Sequence, residues 1–156
     1  MVSRISARAT QLGLVAFLFT SLAVLGFTST TNNPAPQDRE SLAKTFVEQK
    51  LRFWQDRLNL REWNLQVKLV PSNALEPKTL GNIRWDLDKK EATIGVLSTK
   101  DYTLQGQEML DDMEFTIVHE MVHLHLASLP RSEASRRIEE HAVNELAKAL
   151  LKLAKR

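Results

Sequence analysis

The fold of this chain is decided by residues 116–123, which read TIVHEMVH. His119 and His123 are four positions apart, so on a helix their side chains differ by about 40° in direction and about 6 Å in height. Both imidazoles therefore face the same side and can reach one metal ion. Glu120 is turned by about 100° from His119, which leaves it near that ion without making it a ligand. The stretch predicts a metal-binding helix.

The sequence around this stretch is apolar on nearly every side of a helix. Its apolar members are Met109, Met113, Phe115, Ile117, Val118, Met121, Val122, Leu124, Leu126 and Leu129. A helix of this kind is buried. Burying two histidines and a glutamate is costly unless a partner compensates for it, and a metal ion does so. The alternative is a pair of core or surface histidines without metal.

The spacing His-Glu-x-x-His on a helix is the arrangement of zinc hydrolases, in which the glutamate acts as the general base. We therefore expect Zn²⁺ bound by His119 and His123, with Glu120 as the catalytic residue. The chain contains no cysteine. This excludes a disulfide framework, a cysteine nucleophile and a thiolate zinc site, so the metal must be held by histidine and carboxylate groups.

Composition favours one globular domain without a nucleic-acid partner. The chain has 156 residues, of which 43% are hydrophobic and 26% charged. The net charge of +2 corresponds to Arg4 and Arg8, beyond which basic and acidic residues are equal in number. A balanced domain gives no electrostatic reason to bind nucleic acid.

The first thirty residues are typical of an export signal. Arg4 and Arg8 precede an uncharged apolar run at 12–27, which is short for a membrane span and suits a secretory signal. We predict a signal peptide or an N-terminal anchor at 1–30, a linker at 31–37 and one domain at 38–156. The protein is expected to be exported, periplasmic or secreted, and to be attached to a membrane only through an uncleaved anchor. The oligomeric state is left open.

Two stretches alternate between apolar and polar residues, as half-buried strands do. Residues 63–70 form one strand, which ends at Pro71, and residues 81–97 form a hairpin with its turn at 88–91. The hairpin is compatible with a plain structural role. It is equally compatible with an exposed sheet edge, which in many metallopeptidases receives an extended peptide main chain to main chain.

Three helices complete an α+β fold class, at 38–60, 108–129 and 132–154, with Pro130 stopping the second and Ser132 as a cap for the third. The apolar stripe of the first helix is predicted to contain Leu42, Phe46, Leu51, Trp54 and Leu58. The buried stripe of the last helix is predicted to contain Ile138, Ala142, Val143, Leu146, Leu150 and Leu153.

A hydrolytic zinc site usually has three protein ligands and water. The positions that hold glycine and a third histidine in metzincins are here occupied by Leu126 and Leu129, which rejects that class. His125 is turned by about 120° from His119 and about 160° from His123, so it does not join them. The remaining candidates for the third ligand are in the last helix: Glu139, Glu140 and Glu145.

The sequence His119-Glu-Met-Val-His123, followed by Glu140-His-Ala-Val-Asn-Glu-Leu-Ala147, resembles the gluzincin metallopeptidases. More narrowly, it is similar to small single-domain members found among bacterial and phage proteins. The resemblance runs from about Asp38 to the end of the chain and is strongest in the metal helix. It implies a zincin-like minimal domain: an N-terminal helix, a small three-stranded sheet with a hairpin, a buried metal-binding helix and a C-terminal helix bearing the glutamate.

The resemblance also implies that Glu140 is the third ligand, and that the substrate is a peptide or protein. Glu139 competes for the role because it lies on the stripe of Ala142, Val143 and Leu146. The chain lacks the extra domain of larger gluzincins, so the residue that stabilises the oxyanion stays unassigned. Tyr102 and His141 are the candidates.

Two other functions are weighed against the expected zinc metallopeptidase. A non-catalytic binding module stabilised by zinc would have a closed four-ligand site, and it would have no use for a base at Glu120. An SprT-like protein acting at DNA would need a basic surface and no export signal, and this chain has the reverse pattern.

Overall fold

The computed structural model describes residues 36–130 and 132–155. In chain order it contains α1 (Pro36–Arg57), β1 (Asn64–Val70), a short 3₁₀ turn (Ser72–Ala74), β2 (Gly81–Asp86), β3 (Glu91–Leu97), α2 (Gly106–His125) and α3 (Glu133–Ala154). The predicted α+β class is therefore confirmed. The predicted signal or anchor at 1–30 lies outside the described residues. Within them, none of the helices combines the length and apolarity that crossing a membrane requires.

The three strands form one mixed sheet in the order β1-β3-β2. β1 runs parallel to β3, pairing Asn64 with Glu91, and β2 runs antiparallel to it, pairing Gly81 with Val96. This confirms the predicted hairpin. The middle strand β3 is the most buried of the three, because β1 and β2 flank it and α2 covers it. β2 is left at an edge.

The central helix α2 is buried along most of its length, as its apolar sequence predicts. It packs against α1, α3, β2 and β3, and Met113, Ile117 and Met121 are fully buried within it. The helix ends at His125, four residues earlier than predicted. The amide of Leu126 bonds to the carbonyl of His123, three positions back, and this tighter turn ends the helix before Pro130.

Most of the predicted stripe of the first helix packs on the core, since Leu51 and Trp54 are buried and Phe46 and Leu58 are partly buried against it. The buried residues of the helix are Ala43, Val47, Leu51 and Trp54, spaced by four, four and three. Leu42, which we predicted in this stripe, is 62% exposed. The small Ala43 allows close approach of the helix, and the shifted stripe keeps Leu51 and Trp54 inward. The helix also begins at Pro36, inside the predicted linker, since proline is well suited to a first helical position.

The last helix also shows a difference from the prediction. Its inward residues are Val143 and Ala147, which are buried, together with the partly buried Leu150, Leu151 and Ala154. Ile138, Ala142, Leu146 and Leu153, which we predicted as buried, are exposed. α3 carries two apolar stripes, and only one of them can face α2. The inner stripe, rich in small residues, is the one that packs.

Candidate metal centre

The two histidines of α2 converge as their spacing predicts. Their Nε2 atoms lie 3.1 Å apart, and their ring centroids are separated by 4.8 Å. His123 is buried and His119 nearly so. Two imidazole nitrogens at this distance need a shared proton or a shared cation between them, because otherwise two lone pairs face each other.

The third group comes from α3. Glu140 places Oε2 at 3.4 Å from Nε2 of His119 and Oε1 at 3.3 Å from Nε2 of His123. His119, His123 and Glu140 thus form one group that could hold a metal ion. Of the three predicted candidates for the third ligand, Glu140 is the one that the structure brings to both histidines.

The dimensions of this group fit a small divalent cation. A tetrahedral zinc with ligands at about 2.0 to 2.1 Å separates those ligands by about 3.3 Å. The separations observed here are 3.1, 3.3 and 3.4 Å. The protonation state also fits, because burial lowers the pKa of His119 and the neighbouring His123 lowers it further, while Glu140 and Asn144 oppose them. A lowered pKa favours the neutral imidazole, which is the form that binds metal.

Glu139 contacts the same histidine from the other side. Its Oε1 lies 3.0 Å from Nδ1 of His123, and both side chains are largely buried. A carboxylate at the outer ring nitrogen fixes the tautomer and direction of a metal-binding histidine. The two adjacent glutamates therefore contact different nitrogens. Glu140 approaches the Nε2 atoms of both histidines, and Glu139 pairs with Nδ1 of His123.

The second histidine is supported differently. Nδ1 of His119 is buried and has no hydrogen-bond partner among the described residues. Asn144, one turn after Glu140 on α3, raises the pKa of His119 through a side-chain hydrogen bond. Sequence analysis did not identify Asn144. The signal that could have found it is its spacing, since a residue four positions after Glu140 shares its helix face.

Glu120 lies beside the group without belonging to it. Its side chain is buried, and within residues 36–130 and 132–155 no hydrogen bond or ion pair reaches its carboxylate. Burial, and secondly the charge of Glu140, raises the pKa of Glu120 to about 8. A carboxyl group with this pKa exchanges protons near neutral pH.

The edge strand β2 runs along the same site. A cleft of about 1260 Å³ is lined by β2 and the loop before it on one side and by α2 and α3 on the other. Gly81 marks the closest approach. A β-carbon at this position would overlap the methyl of Thr116 and lie 2.9 Å from the carbonyl oxygen of Gly95 and 3.3 Å from Oε1 of Glu120. Glycine therefore lets the strand lie directly against the face of α2 that carries Thr116 and Glu120.

Several residues considered from the sequence lie elsewhere. Tyr102 donates its hydroxyl to Asp112 at 2.9 Å and stands behind that residue rather than lining the cleft. His125 and His141 are exposed and do not line the cleft. Glu145 is exposed and pairs with Lys148 at 2.7 Å. The polar residues that do line the cleft away from the metal group include Asp112, Asn82 and Arg84.

No protein-family model matches the chain, and no curated protein or solved structure matches it either. The resemblance to gluzincins therefore stays a prediction from the residues of α2 and α3. What the geometry adds is a His-His-Glu group beside an unpaired buried glutamate, at the bottom of an open cleft.

Proposed function

We propose that this chain is a zinc-dependent metallopeptidase of the gluzincin type, with His119, His123 and Glu140 holding the metal. The observation that carries the proposal is the position of Glu120. It is a buried carboxyl group without a partner among the described residues, adjacent in sequence to one ligand and facing another. A structural metal site gains nothing from such a group, whereas hydrolysis requires it.

In this proposal Glu120 moves the protons. It accepts one from the attacking water and then delivers it to the leaving amine. When bound, zinc supplies a positive charge that acidifies an adjoining water and polarises the carbonyl of the substrate. That charge also favours the ionised form of Glu120, the form needed to accept a proton. Glu139 keeps the imidazole of His123 directed at the site.

The substrate we propose is an extended peptide segment. β2 presents the main-chain groups of an edge strand to the cleft, next to Glu120. An extended peptide can add to such an edge by main-chain hydrogen bonds, which makes recognition largely independent of side-chain identity. This supports peptide bonds over small esters or amides as the target. We further propose that the enzyme acts outside the cytoplasm, on the evidence of residues 1–30.

The rival is a zinc-stabilised binding module without catalysis. Both proposals predict that the purified protein contains zinc, so metal content alone does not separate them. The decisive measurement is digestion of a broad peptide library by the full chain, with and without a chelator, followed by addition of Zn²⁺. We expect cleavage that chelation stops and zinc restores.

Two variants make this test specific. His119→Ala should lose both zinc and cleavage, whereas His125→Ala, an exposed histidine on the same helix, should keep both. Stoichiometric zinc without any cleavage by the wild-type chain would support the binding module. Absence of bound metal, with unchanged stability on adding Zn²⁺, would defeat both proposals.

A further inference from the structure

The outward side of α3 carries exposed apolar residues that do not belong to the hydrophobic core of the described part of the chain. We name as the outer stripe Ile138, Ala142, Leu146, Ala149 and Leu153, which are spaced by four, four, three and four. Ile138 is 73% exposed, Leu146 51% and Leu153 62%. At 100° per residue the outer stripe covers about 80° of the helix and extends for about 22 Å. It is a continuous apolar band.

A row of cations adjoins this band. We name as the cationic stripe Arg137, Lys148, Lys152 and Lys155, all of them exposed. Among the described outward residues of α3, Glu145 is the one carboxylate, and it pairs with Lys148. Lys155 also approaches Asp111 of α2 at 3.7 Å, an exposed pair of little energetic weight. The outward face of α3 is thus half apolar and half cationic.

We propose that this face of α3 is a peripheral membrane-binding surface for anionic lipids. An amphipathic helix with an apolar stripe beside lysines and arginines binds in the plane of a bilayer interface, inserting the apolar side chains and placing the cations at the headgroups. The face does this while remaining part of the folded domain, because the inner stripe of α3 holds it against α2. The proposal does not depend on the metal or on catalysis.

The geometry leaves the candidate metal centre open when α3 is bound in this way. Glu140 projects about 120° or more away from every member of the outer stripe. Glu140 and Asn144, which line the cleft, are both turned by at least about 120° from the outer stripe, whereas Glu139 lies at its border, about 20° from Leu146. A membrane beneath the outer stripe therefore lies on the opposite side of α3 from Glu140 and Asn144.

The sequence provides a second argument for a nearby membrane. If the apolar run at 12–27 is retained as an anchor, eight residues separate it from the start of α1 at Pro36. That segment spans at most about 30 Å. A domain tethered so closely needs little intrinsic affinity to stay bound, because the tether raises its effective concentration at the bilayer.

Charge favours a lipid surface over a second copy of the chain. Two copies meeting through the outer stripe would bring their cationic stripes into the same neighbourhood, with Glu145 already paired. Anionic headgroups would instead neutralise the cationic stripe. Self-association is therefore treated as the competing outcome of the test.

The absence of native cysteine permits a direct experiment on the full chain. A single cysteine at Ala149 in the outer stripe, labelled with an environment-sensitive fluorophore, is compared with one at Gln66, an exposed residue of β1. Each protein is reconstituted in neutral phosphatidylcholine vesicles or in vesicles with about a third phosphatidylglycerol, both containing spin-labelled lipid. We expect strong quenching at position 149 in anionic vesicles, weakened by high salt, and none at position 66.

Paired variants then test each half of the surface. Leu146→Gln with Leu153→Gln should lower the anionic-vesicle partitioning of position 149 about tenfold or more. Leu42→Gln with Leu129→Gln removes equally exposed leucines from other sites and should have no effect. Arg137→Gln with Lys152→Gln should abolish the preference for anionic lipid, whereas Lys44→Gln with Lys68→Gln should preserve it. An unchanged midpoint of urea unfolding checks that each variant is folded.

Two results would overturn the proposal. The probe at position 149 stays unquenched in both lipids, so that any vesicle binding comes from the N-terminal segment alone. Alternatively, the probe becomes shielded without vesicles and in proportion to protein concentration, which assigns the outer stripe to a second copy of the chain.

Discussion

Two glutamates of α2 are buried to nearly the same degree and have opposite surroundings. Glu114 is 8% exposed and Glu120 is 7% exposed, six residues further along. Glu114 accepts a hydrogen bond from Nε1 of Trp54 at 2.8 Å and pairs with Nζ of Lys50 at 2.7 Å. Glu120 has no such partner among the described residues, and burial raises its pKa to about 8.

The difference separates a carboxylate that links two helices from one that, under the proposed function, acts as the general base. Burying an ionised carboxylate is costly unless it is paired, and α1 supplies both partners that Glu114 needs. For Glu120 the charge that acts on its pKa is another carboxylate, Glu140, which makes ionisation harder. A cation between His119, His123 and Glu140 would reverse this effect, so the destabilising position of Glu120 has a chemical reason.

The largest expected effect is on catalysis at Glu120. Glu120→Gln keeps the size of the side chain and removes the base, so cleavage of a peptide substrate should fall by roughly 10²- to 10⁴-fold. Zinc content, measured by mass spectrometry on the purified protein, should not change. Glu108→Gln, an exposed glutamate at the start of the same helix, serves as the matched control. Loss of zinc in Glu120→Gln would instead make Glu120 part of the metal group.

The next effect concerns the adjacent glutamates of α3. Glu140→Ala removes a ligand and should weaken zinc binding more than any other change on this helix. Glu139→Ala removes the support behind His123 and should weaken it by about 10- to 100-fold. Competition with a fluorescent chelator measures the zinc affinity of both variants. If Glu139→Ala proved the more damaging of the two, the ligand and the supporting residue would have to be exchanged.

A smaller effect, on stability instead of activity, is expected at Glu114. Glu114→Gln leaves Lys50 without its partner, and the free energy of unfolding should fall by about 1–3 kcal/mol in a urea titration. Cleavage per folded molecule should remain. The contrast with Glu120 fails if Glu114→Gln abolishes activity at a temperature where the protein is still folded.

The last expected effect is a pH dependence of the metal-free protein. The pKa of Glu120 rises from an ordinary value of 4.5 to about 8 on folding. Between these values the folded state binds more protons than the unfolded state, so Glu120 makes the protein less stable as pH rises through this window. The lowered pKa of His119 acts in the opposite direction below 6.5. The quantity to measure is therefore the difference in the free energy of unfolding between the wild type and Glu120→Gln at each pH.

In chelator-treated samples unfolded by urea, the free energy of unfolding of Glu120→Gln minus that of the wild type should increase from pH 5 to pH 8. Glu114→Gln should keep the wild-type dependence, because Glu120 is still present. A constant difference over the whole range would mean that Glu120 is ionised in the metal-free fold and that a partner stabilises it.

The sequence predicted α2 and the convergence of its two histidines well because the signal there is local. His119 and His123 are one turn apart, and an apolar stretch on both sides leaves burial as the sole option for the helix. The strands were predicted for the same reason, since period-two alternation is visible within seven residues. The competition between Glu139 and Glu140 needed the structure. Adjacent residues differ by about 100° in direction, and only the docking angle of α3 selects one of them.

The errors occurred where a helix has more than one apolar face. Both stripes of α3 satisfy helical spacing, and the sequence does not state which one meets α2. In α1, Leu42 is a better hydrophobic residue than Ala43, yet the smaller residue faces inward. The pairing of Glu114 with Lys50 and Trp54 spans about sixty residues and leaves no local pattern. Such choices depend on packing between elements.

The way α3 is attached has a consequence for the protein without its metal. Among the elements described, α3 packs chiefly on α2, and Glu140 is the point at which it reaches the two histidines. A bound cation would therefore act as a cross-link between the penultimate and final helices. Removing it should release the last helix first, so amide hydrogens of α3 should exchange much faster after chelation while those of β3 stay protected.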